Sequence, residues 1–470
     1  MFKNEEKLLS EIKERYISTG IPFNIDEYIK SGILKGRIRK KMHIIKRSSV
    51  LAVLLILMLS CITVMSSPAL ASYIKNIPGI SYIFKIIEGD KGLSSAVENN
   101  YIQSLDLSDT HENITFTVDK MIMDESEMIV FFQIVNRSGK KIENNSFEMT
   151  DENGKSIHAS FAFDGMYNYD EKASESLHGT FSASFHKGYK LPNRIKLKLN
   201  LEEVYDYNDG KSIQVGNASG TDTGNLTKKL SSTWEVVIPV NKKKFNSKKK
   251  IFKINKWVEI EGQRIKFRKV TIYPTRVGID IEVDSDNTKQ LFSFDDLRLV
   301  DEKGESWAGI KNGVSGTGGT GDKARTIYLE SNYFFSHGEL YIEASSMQAL
   351  DKKDCKVVVD LNKKVITKSP DDRLSLSGVE EASWEYLLNF KVKLDPVMDK
   401  NRKYDIFSNS YTDSEGKAYE FDEATTYIRE DETFMDHTLN IPKEDYSGPI
   451  SFTINNYPTR IKGNIKIRIK

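Results

Sequence analysis

The sequence predicts a mainly β chain: a single amino-terminal transmembrane helix followed by tandem β-sandwich modules. Three observations predict it. Residues 48–67 form one apolar run without a charged side chain. From residue 110 onward, apolar and polar side chains alternate with a period of two, in many short runs broken by Gly and Asp turns. Three stretches of that region repeat one plan, a strand–turn–strand opening followed by a turn led by Asp.

Residues 1–47 read as a basic cytoplasmic tail with short helices. Leu8, Leu9, Ile12 and Tyr16 fall on one face of "NEEKLLSEIKERYI". After the breaker "TGIP", Asn24 is placed to cap a second helix, with Glu27 three residues on in the capping-box position. Ile25, Tyr28, Ile29 and Ile33 then line one face, which Gly32 and Gly36 weaken. Two readings stand for this tail: a stop-transfer region with some surface helicity, or a peptide that folds against a cytoplasmic partner through those four residues.

The run 48–67 has the length a bilayer core needs, about 20 apolar residues in a helix. Lys35, Arg37, Arg39, Lys40, Lys41, Lys46 and Arg47 precede it, whereas the charges after it nearly cancel. A basic flank of that kind sets topology, keeping the amino terminus in the cytoplasm and sending the bulk of the chain outside. The competing reading is a signal peptide, since Ala69-Leu70-Ala71 after Pro68 has the form of a cleavage site. The 47 residues upstream are too long and too patterned for an ordinary signal n-region, so a retained single span is expected.

Residues 72–110 read as a juxtamembrane helical segment, apolar enough to dock on the bilayer or on the first exterior domain. Three β-sandwiches are then expected, at 111–246, 247–368 and 369–470. Their openings are "ITFTVDKMIMDESEMIVFFQIVN", "IKFRKVTIYPTRVGIDIEV" and "SWEYLLNFKVKL". Asp151, Asp301 and Asp413 lead the turns that follow, and Gly154, Gly304 and Gly416 accept the left-handed conformation such turns need. Lysine-rich "NKKKFNSKKK" (241–250) and "NKKVITKSPDDR" (362–373) mark the expected seams as solvated linkers.

Composition narrows the function. A net charge of +1 over 470 residues favours neither nucleic acid nor an acidic polymer as partner. Only Cys61 and Cys355 occur, one inside the apolar run and one far from it, so no intrachain disulfide is expected. An exterior that folds without disulfides suits a bacterial envelope protein. No catalytic, metal or cofactor site is expected, and the chain is not read as an enzyme. Gly316, Gly318 and Gly321 satisfy G-x-G-x-x-G, but strand-like "ARTIYLES" follows where a dinucleotide fold places a helix. Seven histidines are scattered without metal spacing, and no G-x-S-x-G elbow occurs.

The stretches "SPALASYIKNIPG" (67–79), "GDKGLSSAVENNY" (89–101) and the hairpin after them resemble the bacterial family called domain of unknown function 4179. Farther on, "IKFRKVTIYPTRVGIDIEV" resembles an immunoglobulin-like domain of unknown function that follows it in Firmicutes. The first resemblance implies a membrane-bound regulator of the anti-sigma-factor type, whose partner is an extracytoplasmic-function sigma factor. It also implies an unknown envelope ligand or protein outside. Residues 1–47 depart from the zinc-binding anti-sigma pattern, having no His-x₃-Cys-x₂-Cys, and leave a one-helix clamp around Ile25 to Ile33 as the available mechanism. The alternative is a cell-surface binding or structural protein whose tail only anchors it.

Overall fold

The computed structural model describes residues 3–18, 20, 27, 29–35, 81–164, 176–186, 188–205, 219–220, 226–245, 248–310, 314–318, 323–400, 402–421, 423–428 and 433–470. The chain divides into two compact units, residues 1–75 and 76–470. In the first, α1 (Lys3–Ser18) opens with Glu5 and Glu6 in its first turn and carries Arg15 in its last. Those charges complement the helix dipole. Residues 29–35 are also helical. The span expected at 48–67, with Cys61 inside it, lies outside the described residues. Among the described residues no helix is long and apolar enough to cross a membrane.

The second unit begins with two short helices, α2 (Ser81–Ile86) and α3 (Lys91–Glu98), and is otherwise mainly antiparallel β. The helical segment expected to reach residue 110 is shorter. Asn99 caps it, Asn100 turns left-handed, and a strand begins at Gln103 because "QSLDLSDTH" alternates.

The first sandwich contains β1 (Gln103–His111), β2 (Ile114–Met123), β3 (Glu127–Asn136), β4 (Ile142–Asp151), β5 (Ala159–Asp164), β6 (Ser176–Phe185), β7 (Arg194–Tyr205), β8 (Ser219–Gly220) and β9 (Leu226–Pro239). One sheet runs β1-β2-β3-β6-β5 and the other β4-β7-β9-β8. In β7, "RIKLKLNLEEVY" buries Ile195, Leu197, Leu199 and Leu201 and turns the lysines outward, the pattern of a half-wet strand. The two sheets meet through Phe147 against Phe181 (ring centroids 4.7 Å apart) and through Trp234, whose indole N–H donates to the Ile114 carbonyl at 2.8 Å. In β3, Met128 to Phe132 are buried without a break. A strand reads that way when both of its faces are covered. On the outer side lies α2, whose Tyr82 reaches Asp119 of β2 and His178 of β6, with Ile83 and Ile87 buried beside it.

The second sandwich contains β10 (Lys250–Ile260), β11 (Gln263–Ile272), β12 (Arg276–Val283), β13 (Lys289–Phe294), β14 (Arg298–Asp301), β15 (Ser306–Trp307), β16 (Gly316–Thr317), β17 (Ala324–Glu330) and β18 (Leu340–Asp351). Its first sheet, β10-β11-β12-β17-β16, reproduces strand for strand the order of β1-β2-β3-β6-β5. The third is drawn from β19 (Lys356–Asp360), β20 (Val365–Lys368), β21 (Leu374–Glu381), β22 (Glu385–Lys393), β23 (Phe407–Thr412), β24 (Ala418–Glu420), β25 (Glu423–Ile428), β26 (Phe434–Pro442) and β27 (Ile450–Ile454). It pairs them as β20-β19-β27-β23-β24 and β21-β22-β26-β25.

One strand remains, β28 (Arg460–Arg468), and it returns to the second sandwich, where Ile467 lies opposite Ile342 and Ile465 opposite Ala344 of β18. In exchange β19, which follows β18 directly, pairs with β27 in the third sandwich. Each sandwich is thus completed by the strand that follows the other. The cores agree: Ile461, Ile465 and Ile467 belong to the second, Val357 and Val359 to the third. The linear cut after residue 368 is therefore corrected, as is the linker reading of 362–373, since residues 365–368 are strand. Alternation tells a strand which face is buried, but not which sheet receives it.

All three Asp-led turns form. Asp151 accepts from the Asn153 and Lys155 amides at 2.8 and 2.9 Å, Asp301 from Lys303 and Glu305 at 2.9 and 2.8 Å, and Asp413 from Glu415 and Lys417 at 3.1 and 3.0 Å. Gly154, Gly304 and Gly416 have φ of 79°, 82° and 83°, where a Cβ would be strained.

Candidate functional site: exposed amino-terminal helices and a locked junction between sandwiches

Within the first unit, α1 presents Leu8, Leu9, Ile12, Tyr16 and Ile17 exposed on its surface. The spacing of Leu9, Ile12 and Tyr16 puts them on one stripe. Ile29 and Ile33, four residues apart in the helical stretch, are likewise exposed, as is Leu34. An exposed apolar stripe of this kind is suited to packing on a groove of a partner. Of the residues expected to bind a partner, Ile29 and Ile33 therefore share a helix face, while Ile25 and Tyr28 lie outside the described residues. Of the basic flank expected to set topology, Lys35 is the last described residue of the helical stretch, and Arg37, Arg39, Lys40, Lys41, Lys46 and Arg47 lie outside the described residues.

In the second unit, polar side chains at two strand–turn–strand openings are buried in a junction. The turn after β2 and the turn after β11 meet tip to tip. Asp124 accepts from the Ser126 amide and hydroxyl at 2.8 Å each through one oxygen. Through the other it accepts from the Thr275 amide at 2.9 Å and the Thr275 hydroxyl at 2.7 Å. Arg276 is wholly buried. Its guanidinium donates to the Ser126 carbonyl at 2.6 Å and the Ser184 hydroxyl at 2.7 Å, and stacks 3.6 Å over Tyr328. Glu127 lies 3.5 Å from it. Burial pushes the Glu127 carboxyl up to about 7, with Arg276 pulling the other way.

The segment before β1 closes the same junction. Asp90 caps α3 by accepting from the Leu93 amide at 2.9 Å. Gly92 lies so close to β17's exit that a Cβ would overlap the Ser331 backbone. The α2 helix instead grips the first sandwich: the Tyr82 hydroxyl donates to Asp119 at 2.6 Å, and its ring lies 4.3 Å from that of His178. The seam at 241–250 is also no loose linker. Residues Lys242–Phe245 form a helical turn with Phe245 buried edge-on to Tyr101, and Lys244 donates to the Ile102 carbonyl at 2.6 Å. A lysine run reads as solvated until a single buried aromatic pins it, and Phe245 was the one available signal.

A second polar cluster ties the third sandwich to β28. Arg460 donates to Asp295 at 3.1 Å and to the Tyr404 hydroxyl at 3.0 Å, and pairs with Asp399; Arg402 also pairs with Asp295. These groups are internally matched, so the chemistry available here is mechanical coupling.

Elsewhere, among the described residues, no three His, Cys, Asp or Glu side chains converge as metal ligands. His437 is buried beside Thr426 at 2.8 Å, and burial pushes its imidazole down to about 4. Cys355 is half-buried, with its thiol pushed up to about 11 by burial. Of the glycine-rich motif, Gly316 sits in strand β16 and Gly318 at φ 91° beside it, a strand edge in place of a phosphate loop.

The fold defines a mainly β protein of sandwich-like modules preceded by short helices. Residues 39–136 match the family described as Domain of unknown function (DUF4179). Residues 249–377 match the Family of unknown function (DUF5643). No curated protein matches the sequence. Among solved structures, the chain is similar to a conserved domain protein from Bacillus anthracis at a TM-score of 0.36 and 15% identity, over 56% of this chain and 81% of that one. It is also similar to the T6 backbone pilin of serotype M6 Streptococcus pyogenes at a TM-score of 0.12 and 12% identity, over 74% of this chain and 67% of that one.

Proposed function

We propose that the chain is a single-pass membrane regulator of the anti-sigma type, with its immunoglobulin-like sandwiches outside the cell and its amino-terminal helices inside. The observation that carries the proposal is the exposed apolar stripe of Leu9, Ile12 and Tyr16, repeated in Ile29 and Ile33, on helices that precede a basic flank and an apolar run. The family match over 39–136 is compatible with that role. In this reading an envelope ligand or protein engages the sandwiches. The locked junction lets the sandwiches respond as one body, and the tail then releases its sigma factor.

The rigid junction also favours a second reading, a stiff surface-binding protein with an inert tail. Crosslinked capture from cells, with the full chain against a chain lacking residues 1–34, separates the two. A sigma factor recovered only with the full chain supports regulation. Recovery of none, with an unchanged phenotype on deletion, overturns it and leaves the surface role.

A further inference from the structure

The matching sheets of the first two sandwiches carry matching bulges. In the first, Asp119 is the extra residue between Val118 and Lys120, and Asp106 turns left-handed on the neighbouring strand with φ 49°. In the second, Arg268 is the extra residue between Phe267 and Lys269, and Asn255 has φ 48°. A bulge redirects a side chain and bends its strand. Here the paired bulges produce one depression on the outer face of each sheet.

In the first sandwich that depression is filled by the chain itself: Tyr82 of α2 lies in it, donating to Asp119 and stacking on His178. Burial, then Asp119, and to a smaller degree Asp106 disfavour ionisation of the Tyr82 hydroxyl. In the second, no described segment lies there, and a cavity of about 380 Å³ opens between β10, β11, β16 and β17. That is within the range of ligand-sized pockets.

The registers show what replaces each lining residue. Arg268 stands where Asp119 does, Asn255 where Asp106 does, Lys253 where Ser104 does, and Ala324 where His178 does. The acidic socket has become a basic one. Arg268 is matched by Glu282 at 3.3 Å and Lys269 by Asp280 at 3.0 Å. Among the described residues Lys253 makes no ion pair. Arg325 also borders the cavity, but its guanidinium is engaged elsewhere, donating to the Phe292 carbonyl at 2.6 Å. The short strand β16 flanks the cavity and pairs only with β17 among the described residues, so its outer edge is available to an added strand.

We propose that this cavity is the docking site for an acidic peptide segment of a partner protein, which inserts a Glu or Asp side chain toward Arg268 and Lys253. The internal precedent is a peptide occupant, and the reversal of lining charge specifies the reversal of its inserted group, from a hydroxyl donor to a carboxylate.

The test is fluorescence anisotropy of a labelled hexaglutamate peptide on the full chain in mild detergent, with hexaglutamine and inorganic polyphosphate as comparison probes. Saturable binding of hexaglutamate alone, weakened about tenfold or more by Lys253→Glu and by Arg268→Glu but not by Lys363→Glu in the third sandwich, is the expected result. Both test residues are solvent-facing, so folding is retained, which circular dichroism verifies. Absence of binding, or binding insensitive to those two substitutions, overturns the proposal. Tighter binding of polyphosphate with the same sensitivity overturns it too, in favour of a phosphate polymer.

Discussion

Ile465→Ala in β28 should unfold the sandwich in the middle of the chain and spare the one beside it in sequence. Ile465 is fully buried, lies opposite Ala344 of β18 and belongs to the second core. Truncating a buried isoleucine costs about 2–5 kcal/mol, from lost burial plus the cavity left behind. The reciprocal substitution, Val357→Ala in β19, removes a fully buried side chain from the third core. Hydrogen exchange with mass spectrometry reads each sandwich separately. Where exchange follows opening equilibria, 2–5 kcal/mol becomes roughly 30-fold to several-thousand-fold faster exchange. Ile465→Ala should accelerate Leu340–Asp351 and Arg298–Asp301 directly, and Val357→Ala should accelerate Ile450–Ile454. Acceleration of Ile450–Ile454 by Ile465→Ala, with β18 still protected, would refute the exchange of strands.

Three further outcomes follow from other packing and charge. Gly92→Ala should loosen α3 from Ser331 at a cost of about 1–3 kcal/mol, seen as a lower melting temperature and faster exchange across Lys91–Glu98. Burial raises the folded pKa of Glu127 from its ordinary 4.5 to about 7. The folded state therefore holds its proton more tightly, and the stability this contributes is full below pH 4.5 and is lost as pH rises through 7. Glu127→Gln should flatten denaturation midpoints across that window. His437 behaves oppositely, because burial lowers its folded pKa from the ordinary 6.5 to about 4. Its contribution is full above pH 6.5 and is lost as pH falls toward 4, by about 3 kcal/mol, and His437→Asn should remove that acid slope in the third sandwich.

Much of the β architecture was legible from residues alone, because alternation and the Asp–Gly turns are local. Asp151, Asp301 and Asp413 announce their turns through bonds within four residues, and the structure forms all three. The strand exchange was not legible: "KVVVD" and "NIKIRIK" carry the same pattern, and nothing in it names a recipient sheet. The junction was missed for a related reason. Asp124 sits in a turn and Arg276 opens a strand just after one, and their burial is decided by contacts with a turn more than a hundred residues away. The basic socket was hidden because a bulge interrupts alternation by one residue without changing the residue types. Of the residues expected to bind a partner, the shared exposed face of Ile29 and Ile33 follows directly from helical spacing.

The returning strand β28 sets an order in time as well as in space. During synthesis, all other strands of the second sandwich emerge by residue 351, but its sheet gains β28 only after residue 468 has emerged. Throughout that interval β18 carries an unpaired edge, and such an edge is a template for pairing with another chain. A chain truncated or stalled before Arg460–Arg468 therefore exposes a sticky edge at β18. Quality control that recognises unpaired strands would read at that edge whether β28 has been made and docked.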